Sequence, residues 1–385
     1  MKQKKIAYIS SPHLADSDMP LLHELCQKAD VCYFLILQQR HKNRMLVNVK
    51  RLKRRGALYT MTVFPDLANL GQFVDLGKAY VLNMPGRHDW SPSNLLAVLG
   101  LLWFLVRRHF DVVHITWPLR YGLFPLYRLR RRMILTMHDP LPHSSEDTRL
   151  NRFHRQVAMR LVPRIVLLNH YQRQGFIEKY RLRDSQVYEL RLGTYDYLTD
   201  IPPVYPDSKD YVLFVGAINT HKGVDVLCRA MQTVHERHPE LKLLVAGKGE
   251  LYFDPTPYIE AGILDLHNHY LSDEEMVGFI RHALFVVCPY IDATQSGIVM
   301  SAFALDKPVI ATRVGGLPEM VEDGRHGLLV PPADVPSLAD AIERLATSPA
   351  LLNAFSSNIR HDYDEGERSW PQIAGKLAAL YSSDS

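Results

Sequence analysis

The sequence predicts an α/β protein with two Rossmann-like domains, and three observations support that fold class. The chain opens with a β-α-β pattern, in which apolar runs at residues 6–10 and 31–37 flank a predicted helix at 19–29. The same alternation of strand and helix starts again at residues 211–215. The stretch before this restart is rich in proline, as linkers are.

These patterns divide the chain into four parts. We predict an N-terminal Rossmann-like domain over residues 1–196, a linker over 197–210, a C-terminal Rossmann-like domain over 211–366 and a helical segment over 367–385. With 385 residues, the chain is long enough for two hydrophobic cores. Asp18 is the expected N-cap of the first helix.

Composition points to an ordinary globular protein, with 47% hydrophobic and 22% charged residues. The four cysteines have no metal-ligand spacing, and we expect reduced thiols in a cytoplasmic protein. No secretory signal is visible at the start of the chain. The absence of a Gly-x-Gly-x-x-Gly motif gives no support for a nicotinamide or flavin dinucleotide.

The most informative stretch is residues 284–319. It predicts a buried strand at 284–288, a polar loop at 289–296, a helix from Gly297 and a second strand at 309–312. Ser296 and Gly297 place small residues at a helix N-terminus, where free N–H groups and the helix dipole favour an anion. We therefore expect a phosphate site at the carboxyl edge of this sheet.

This stretch resembles the signature of the family 4 glycosyltransferases, which are retaining enzymes with the two-domain GT-B fold. The matching residues are Pro289, Tyr290, Asp292, Ser296, Gly297, Pro308, Val309, Ile310, Ala311, Thr312, Gly315, Gly316 and Glu319. The second acidic residue of the signature falls at Ser301, which indicates a variant subgroup. The resemblance implies two domains that face a cleft, with the C-terminal helix packed on the N-terminal domain.

The resemblance extends to other parts of the C-terminal half. Gly216 and Lys222 match a loop that contacts the donor diphosphate, but the family's arginine in that loop is replaced by Ala217. Lys248 is a candidate for part of the missing charge. The backbone near Leu271 is the implied site of the nucleobase.

In the N-terminal half, the family's histidine near the donor sugar corresponds to His138. His114 ends the preceding strand, and its role stays open between structural and functional. His143 and Glu146 follow His138 closely in sequence and are candidates to face an acceptor.

The reaction implied by the resemblance moves a hexosyl group from a nucleotide-diphosphate sugar to a saccharide or lipid-linked saccharide, and the pathway it suggests is surface polysaccharide synthesis. Lys222 and the N–H groups of Ser296, Gly297 and Ile298 would stabilise the diphosphate. His138 and Asp292 are the catalytic candidates, with Gln295 orienting the sugar and Ser301 weakly holding the ribose. A nucleophilic Asp292 is the less favoured mechanism.

We expect no cofactor and no required metal. Asp16-Ser17-Asp18 and Asp362-Tyr363-Asp364 match the Asp-x-Asp metal motif, but such triplets are common by chance and we interpret both as structural. No nucleic-acid module is recognised.

Two basic clusters lie in the N-terminal half. A single cluster would be interpreted as a solvated face, but two in one half favour an anionic partner, either a membrane surface or a phosphorylated acceptor. The members of the two clusters are Arg40, His41, Lys42, Arg44, Lys50, Arg51, Lys53, Arg54 and Arg55, and then Arg120, Arg128, Arg130, Arg131 and Arg132. The apolar run at residues 95–106 is shorter than the about 20 residues that span a bilayer. A buried crossover helix is expected there, and a helix on the inner membrane surface is the alternative.

Three other functions remain open. Ala217 and Ser301 allow a catalytically weak or inactive partner subunit. The fold also suits another sugar-nucleotide enzyme, such as an epimerase or a phosphorylase. A membrane adaptor explains the basic clusters but gives the phosphate motifs no role.

Overall fold

The computed structural model describes residues 4–39, 46–141 and 148–383. The chain forms two compact units. Unit 1 comprises Met1–Gly193 and Trp370–Ser385, and unit 2 comprises Thr194–Ser369.

Unit 1 alternates strands and helices. Its elements are β1 (Lys5–Ser10), α1 (Ala15–Lys28), β2 (Asp30–Gln38), β3 (Ala57–Thr60), β4 (Ala79–Met84), α2 (Pro92–Arg107), β5 (Val112–Ile115), β6 (Met133–Met137), α3 (Arg149–Leu161), β7 (Arg164–Leu167), α4 (Arg173–Tyr180) and β8 (Val187–Glu189). The strands form one sheet in the order β3-β4-β2-β1-β5-β6-β7-β8. The β3–β4 pair is antiparallel and the other pairs are parallel.

Unit 2 repeats the pattern on a parallel sheet. Its elements are β9 (Tyr211–Val215), α5 (Val224–His235), β10 (Leu243–Ala246), α6 (Thr256–Glu260), β11 (Leu264–His267), α7 (Asp273–His282), β12 (Ala283–Cys288), α8 (Gly297–Ala304), β13 (Val309–Thr312), α9 (Leu317–Met320), β14 (Gly327–Val330), α10 (Val335–Ala346) and α11 (Pro349–Arg360). The strand order is β11-β10-β9-β12-β13-β14. The order reverses between β9 and β12, which is where open α/β sheets bind ligands.

The final helix, α12 (Trp370–Ser382), belongs to unit 1. It packs against α1 and buries Trp370, Leu377 and Tyr381. Residues 194–210 belong to unit 2, and the N–H of Val204 donates to the carbonyl of Glu274 on α7 (2.9 Å). Much of the predicted linker is therefore fastened to unit 2.

The predicted capping role of Asp18 is wrong. Helix α1 starts at Ala15, so Asp18 lies inside its first turn, where it is buried. Its carboxylate accepts hydrogen bonds from the Tyr8 hydroxyl (2.7 Å) and from the Ser10 hydroxyl. Burial raises the pKa of Asp18 to about 7. The Asp18 carboxylate is therefore bonded to two hydroxyls of β1 and does not cap the helix.

Helix α2 is only half buried, so the expectation of a buried crossover helix is partly right. Val98 and Leu101 face the core, whereas Leu96 and Trp103 are 67% and 64% exposed. Among the described residues, no helix has both the length and the apolar character that crossing a membrane requires.

Candidate active site

The predicted phosphate site lies at the N-terminus of α8 in unit 2. Ser296 precedes the helix with extended backbone, and no side chain caps this end. The first N–H groups of a helix have no partner within it. The N–H of Ser296 points instead to the Met320 sulfur (3.4 Å), so the N–H groups of Gly297 and Ile298 are the better phosphate donors.

The loop at residues 289–296 is held in place by its neighbours. The Thr312 hydroxyl donates to the Tyr290 carbonyl (2.6 Å), and the Gly316 N–H donates to the Thr294 carbonyl (3.0 Å). Gly315 has a φ of +50°, and a Cβ there would lie 1.6 Å from the Ala293 carbonyl oxygen. The Gly-Gly turn is thus required for the close approach of two chain segments.

Lys222 reaches the same loop from the turn after β9. The N–H of Ile291 donates to the His221 carbonyl (2.8 Å), which brings the two turns together. Lys222 Nζ lies 3.5 Å from the centroid of the buried Tyr290 ring. The Tyr290 and Ser296 hydroxyls are 3.1 Å apart. A short path of contacts therefore links the Lys222 cation to the helix N-terminus.

The surroundings of Lys222 affect the pKa and the contacts of its ammonium group. Burial lowers the pKa of the half-buried Lys222 ammonium. The cation faces an aromatic ring, with which it interacts favourably. Gly216 lies against Ile298, because a Cβ at Gly216 would be 3.5 Å from Ile298 Cγ1. The structure thus brings Gly216, Lys222, Ser296, Gly297 and Ile298 into one region.

The remaining predicted residues of unit 2 lie around this region with different accessibility. Asp292 is exposed and Gln295 is half-buried, both in the pinned loop. Ser301 is buried, and its hydroxyl donates to the Gly297 carbonyl (3.1 Å), so this proton is already used inside α8. Leu271 is half-buried just before α7, whose N-terminus carries a Ser272–Glu275 capping box. Lys248 is exposed on the neighbouring turn after β10.

In unit 1, His138 follows β6 beside a cavity of about 20 Å³ that Asp18 and Trp370 also line. Its Nε2 is buried and has no hydrogen-bond partner among the described residues. Burial lowers the pKa of His138 to about 4, so the imidazole is neutral at pH 7. Both nitrogens of His114 are occupied, by the hydroxyls of Tyr381 and Thr136, which shows a structural role for that histidine.

In each Asp-x-Asp match, one aspartate is held by other side chains: Asp18 by Tyr8 and Ser10, and Asp362 by Arg325 and His326. Asp362 accepts two hydrogen bonds from Arg325 (2.7 and 2.6 Å), and its carboxylate lies 2.7 Å from His326 Nε2. The guanidinium holds the pKa of Asp362 well below its usual range. Glu322, His326 and Asp362 lie close enough to share a metal, but Asp362 is already satisfied by these two partners.

Sequence reasoning missed two features of the site. Tyr195 was predicted to lie in the N-terminal domain but belongs to unit 2. It lies beside the phosphate site, because a Cβ at Gly297 would be 3.2 Å from its hydroxyl. The position of the Tyr290 ring under Lys222 was also not predicted, since it depends on the pairing of β9 with β12. His143, Glu146, Arg40, His41, Lys42 and Arg44 lie outside the described residues.

Comparison with known proteins finds similarity in sequence and in fold. Residues 209–348 match the family model described as Glycosyl transferases group 1. Over this stretch the chain is therefore similar to the group 1 glycosyltransferases. The match covers most of unit 2, including the turn of Lys222 and the N-terminus of α8.

Two curated relatives are similar over different lengths. The D-inositol 3-phosphate glycosyltransferase of Arthrobacter sp. (strain FB24) is 36% identical over 152 residues, which are 38% of this chain and 36% of that protein. The MMP alpha-(1->4)-mannosyltransferase of Mycolicibacterium hassiacum is 27% identical over 297 residues, 71% of each chain. The first relative is therefore matched over well under two thirds of its length.

Solved structures extend the likeness to the whole chain. Anabaena HepE in complex with UDP superposes with a TM-score of 0.67 over 99% of this chain and all of that one, at 14% identity. Sucrose-phosphate synthase from Thermosynechococcus elongatus superposes with a TM-score of 0.66 over 98% of each chain, at 18% identity. These structures confirm the predicted α/β fold with two Rossmann-like domains of GT-B type.

Proposed function

We propose that this chain is a retaining, family 4 type hexosyltransferase that uses a nucleotide-diphosphate sugar. The observation that carries the proposal is the contact path from Lys222 through Tyr290 to the N-terminus of α8, at the carboxyl edge of the unit 2 sheet. The path joins a cation to free N–H groups, which is the donor set that a diphosphate needs. The complexes of HepE with UDP and with UDP-glucose support a nucleotide in this role.

The proposed chemistry depends on stabilising the leaving group. The bond between the anomeric carbon and the diphosphate oxygen breaks, and negative charge grows on that oxygen. Lys222 and the N–H groups of Gly297 and Ile298 offset this charge. The acceptor hydroxyl forms the new bond on the same face of the sugar and transfers its proton to the leaving diphosphate. This route requires no side-chain nucleophile.

The proposed roles of the other residues follow from their surroundings. A neutral His138 with a buried, unpartnered Nε2 is suited to a hydrogen bond with a donor hydroxyl. Asp292 and Gln295 remain the candidates for orienting the sugar from the loop before α8. Ser301 contributes at most an acceptor oxygen, because its proton is given to Gly297.

A single experiment tests the reaction and its stereochemistry. The purified chain is incubated with a panel of nucleotide-diphosphate sugars and saccharide acceptors, and the anomeric configuration of the product is read by NMR. We expect transfer from one donor class with the donor's configuration retained. Inversion would refute the retaining mechanism, and a trapped sugar–Asp292 adduct would replace the substrate-assisted route by a covalent one.

Two observations favour the inactive-partner hypothesis: no arginine stands at position 217, and the Ser301 hydroxyl is already bonded to the Gly297 carbonyl. This hypothesis predicts that nucleotide diphosphates leave the melting temperature unchanged, whereas the transferase predicts a shift that follows the donor's base. An epimerase predicts conversion of the free donor without an acceptor. The three hypotheses therefore separate on one set of nucleotide-sugars.

We also propose that unit 1 contacts an anionic membrane through α2. Its exposed Leu96, Leu99 and Trp103 lie next to a basic segment, because a Cβ at Gly56 would be 2.2 Å from the Ser93 carbonyl oxygen. Exposed basic residues in that segment are Lys50, Arg51, Arg54 and Arg55. An apolar helical face beside cations is typical of interfacial binding.

Membrane binding is measured by co-sedimentation with vesicles. We expect binding to phosphatidylglycerol vesicles, little binding to phosphatidylcholine vesicles, and loss of binding in a Leu96→Glu/Trp103→Glu double variant. The control is Tyr270→Glu, which changes an exposed aromatic residue in unit 2. Equal sedimentation of the double variant and the wild type would refute this contact. A lipid-linked acceptor in surface polysaccharide synthesis would be consistent with it.

A further inference from the structure

Unit 1 holds a second candidate site, a cavity of about 350 Å³ at the carboxyl edge of its sheet. His13 follows β1, and Trp117 follows β5. Arg120 lies just before a 3₁₀ segment (Tyr121–Arg132), and His154 and Arg155 come from α3. The lining of this cavity thus comes from several parts of the chain that the fold gathers at one edge, where open α/β sheets bind ligands.

His154 is the most unusual residue of this cavity. It is only 4% exposed, and neither ring nitrogen has a hydrogen-bond partner among the described residues. Its ring packs edge-on against Tyr121, with centroids 4.5 Å apart. Because buried polar groups are normally paired, these nitrogens indicate a ligand that supplies the missing partner.

Two guanidinium groups give the cavity its charge. Arg155 is positioned by hydrogen bonds from Nη1 to the carbonyls of Asp139 (2.5 Å) and Pro140 (3.2 Å). Arg120 is exposed, and no described residue makes a hydrogen bond or ion pair with its guanidinium. Burial and the charge of Arg120 lower the pKa of His154, and Asp89 opposes them to a smaller extent. No described aspartate or glutamate lines the cavity.

The remaining lining suits a sugar ring. The half-buried Trp117 offers a flat indole, with the His13 ring 6.4 Å away between centroids. The C–H face of a pyranose can pack on such a surface, and Asn151 offers an amide for its hydroxyls. The volume lies near the lower end of the about 300–1,000 Å³ range of small-molecule sites.

We infer that this cavity binds a saccharide that carries a phosphate group, and that Arg120, Arg155 and His154 recognise the phosphate. The inference rests on the proposed function, in which this ligand is the acceptor. Arginine is the residue of choice because its fork matches two phosphate oxygens. Trp117 positions the sugar, which is the part that receives the new bond.

The test is calorimetry on the full chain with hexose 1-phosphates, hexose 6-phosphates, inorganic phosphate and the parent hexoses. We expect a sugar phosphate to bind and its parent hexose to bind at least about tenfold more weakly, because each charge-assisted bond is strong. Arg120→Gln and Arg155→Gln should each lower the affinity by about tenfold or more. Arg160→Gln, on the same helix but outside the cavity, is the matched control and should change nothing.

Two further measurements distinguish a lipid-linked acceptor from a free one, and failure of this inference from failure of the proposed function. A polyprenyl phosphate-linked hexose in detergent is compared with the free hexose phosphate, and the tighter ligand identifies a lipid-linked or a free acceptor. Nucleotide diphosphate binding is measured in the same samples. Nucleotide binding without sugar phosphate binding would overturn this inference and leave the transferase intact. Binding of the parent hexoses as tightly as their phosphates, or wild-type affinity in both arginine variants, would also overturn it.

Discussion

Replacing Lys222 by methionine tests the diphosphate site most directly. The change removes the ammonium group but keeps an unbranched side chain of similar length. A hydrogen bond between charged groups contributes about 1.5–3 kcal/mol to binding. Loss of this bond should therefore lower the affinity for a nucleoside diphosphate by about 10- to 150-fold.

The same change should not unfold the protein. Lys222 is half-buried against Tyr290, and burial already lowers the pKa of its ammonium. The lost cation–π contact is worth about 0.5–2 kcal/mol, and removal of a partly desolvated charge offsets part of it. Methionine also retains favourable contact with the ring. A melting temperature near that of the wild type would thus assign the lost affinity to the site.

The assay is calorimetry with the nucleoside diphosphate of the preferred donor and with its monophosphate. Lys242→Met is the control, because Lys242 is exposed at the opposite, amino end of β10. Lys248→Met asks whether the neighbouring turn supplies part of the charge. Wild-type diphosphate affinity in Lys222→Met, with the fold intact, would refute the assignment of Lys222 to the diphosphate.

Three other predictions concern the glycines and His138. Gly297→Val should reduce diphosphate binding in calorimetry, because its Cβ would crowd Tyr195 at 3.2 Å. Gly223→Ala should destabilise the fold by about 1–3 kcal/mol in urea unfolding, since Gly223 has a φ of +65° and its Cβ would meet the Pro289 carbonyl. His138→Gln should lower turnover more than nucleotide affinity. The wild type should lose stability as the pH falls from about 6.5 to 4, because His138 takes up a proton in the unfolded chain but stays neutral in the folded one, where its pKa is about 4. His138→Gln should show a smaller loss over this pH range.

The sequence could predict elements whose signals are local. The apolar runs predicted as strands at residues 211–215 and 309–312 are β9 and β13 in the structure. The loop at 289–296 and the Gly-Gly turn were also identified correctly, because each depends on a few adjacent residues. The prediction that Asp18 caps α1 was wrong because its carboxylate bonds to the hydroxyls of Tyr8 and Ser10 instead. Only the packing of α1 on β1 brings these hydroxyls close to it.

The same distinction explains the uneven prediction of the two sites. In unit 2, the candidate phosphate site follows one continuous strand-loop-helix segment, so candidate N–H donors could be named from the sequence, although the Ser296 N–H points to Met320 in the structure. In unit 1, the cavity of Arg120, His154 and Arg155 is assembled from separate segments, and none of them carries a motif. His154 lies on an ordinary amphipathic helix, and only its missing partners, visible in three dimensions, distinguish it.

The environment of Lys222 also bears on whether Ala217 implies an inactive protein. An exposed cation is screened by water, whereas one that is half-buried interacts more strongly with a nearby anion. Position 217 is exposed, so the guanidinium of an arginine there would be hydrated and screened before it met the diphosphate. Lys222 already rests on a buried ring that is hydrogen-bonded toward α8, and less of its freedom is lost when a diphosphate binds. One preorganised cation beside the N–H groups of α8 can therefore serve where the family resemblance implies two, which favours the transferase over the inactive partner.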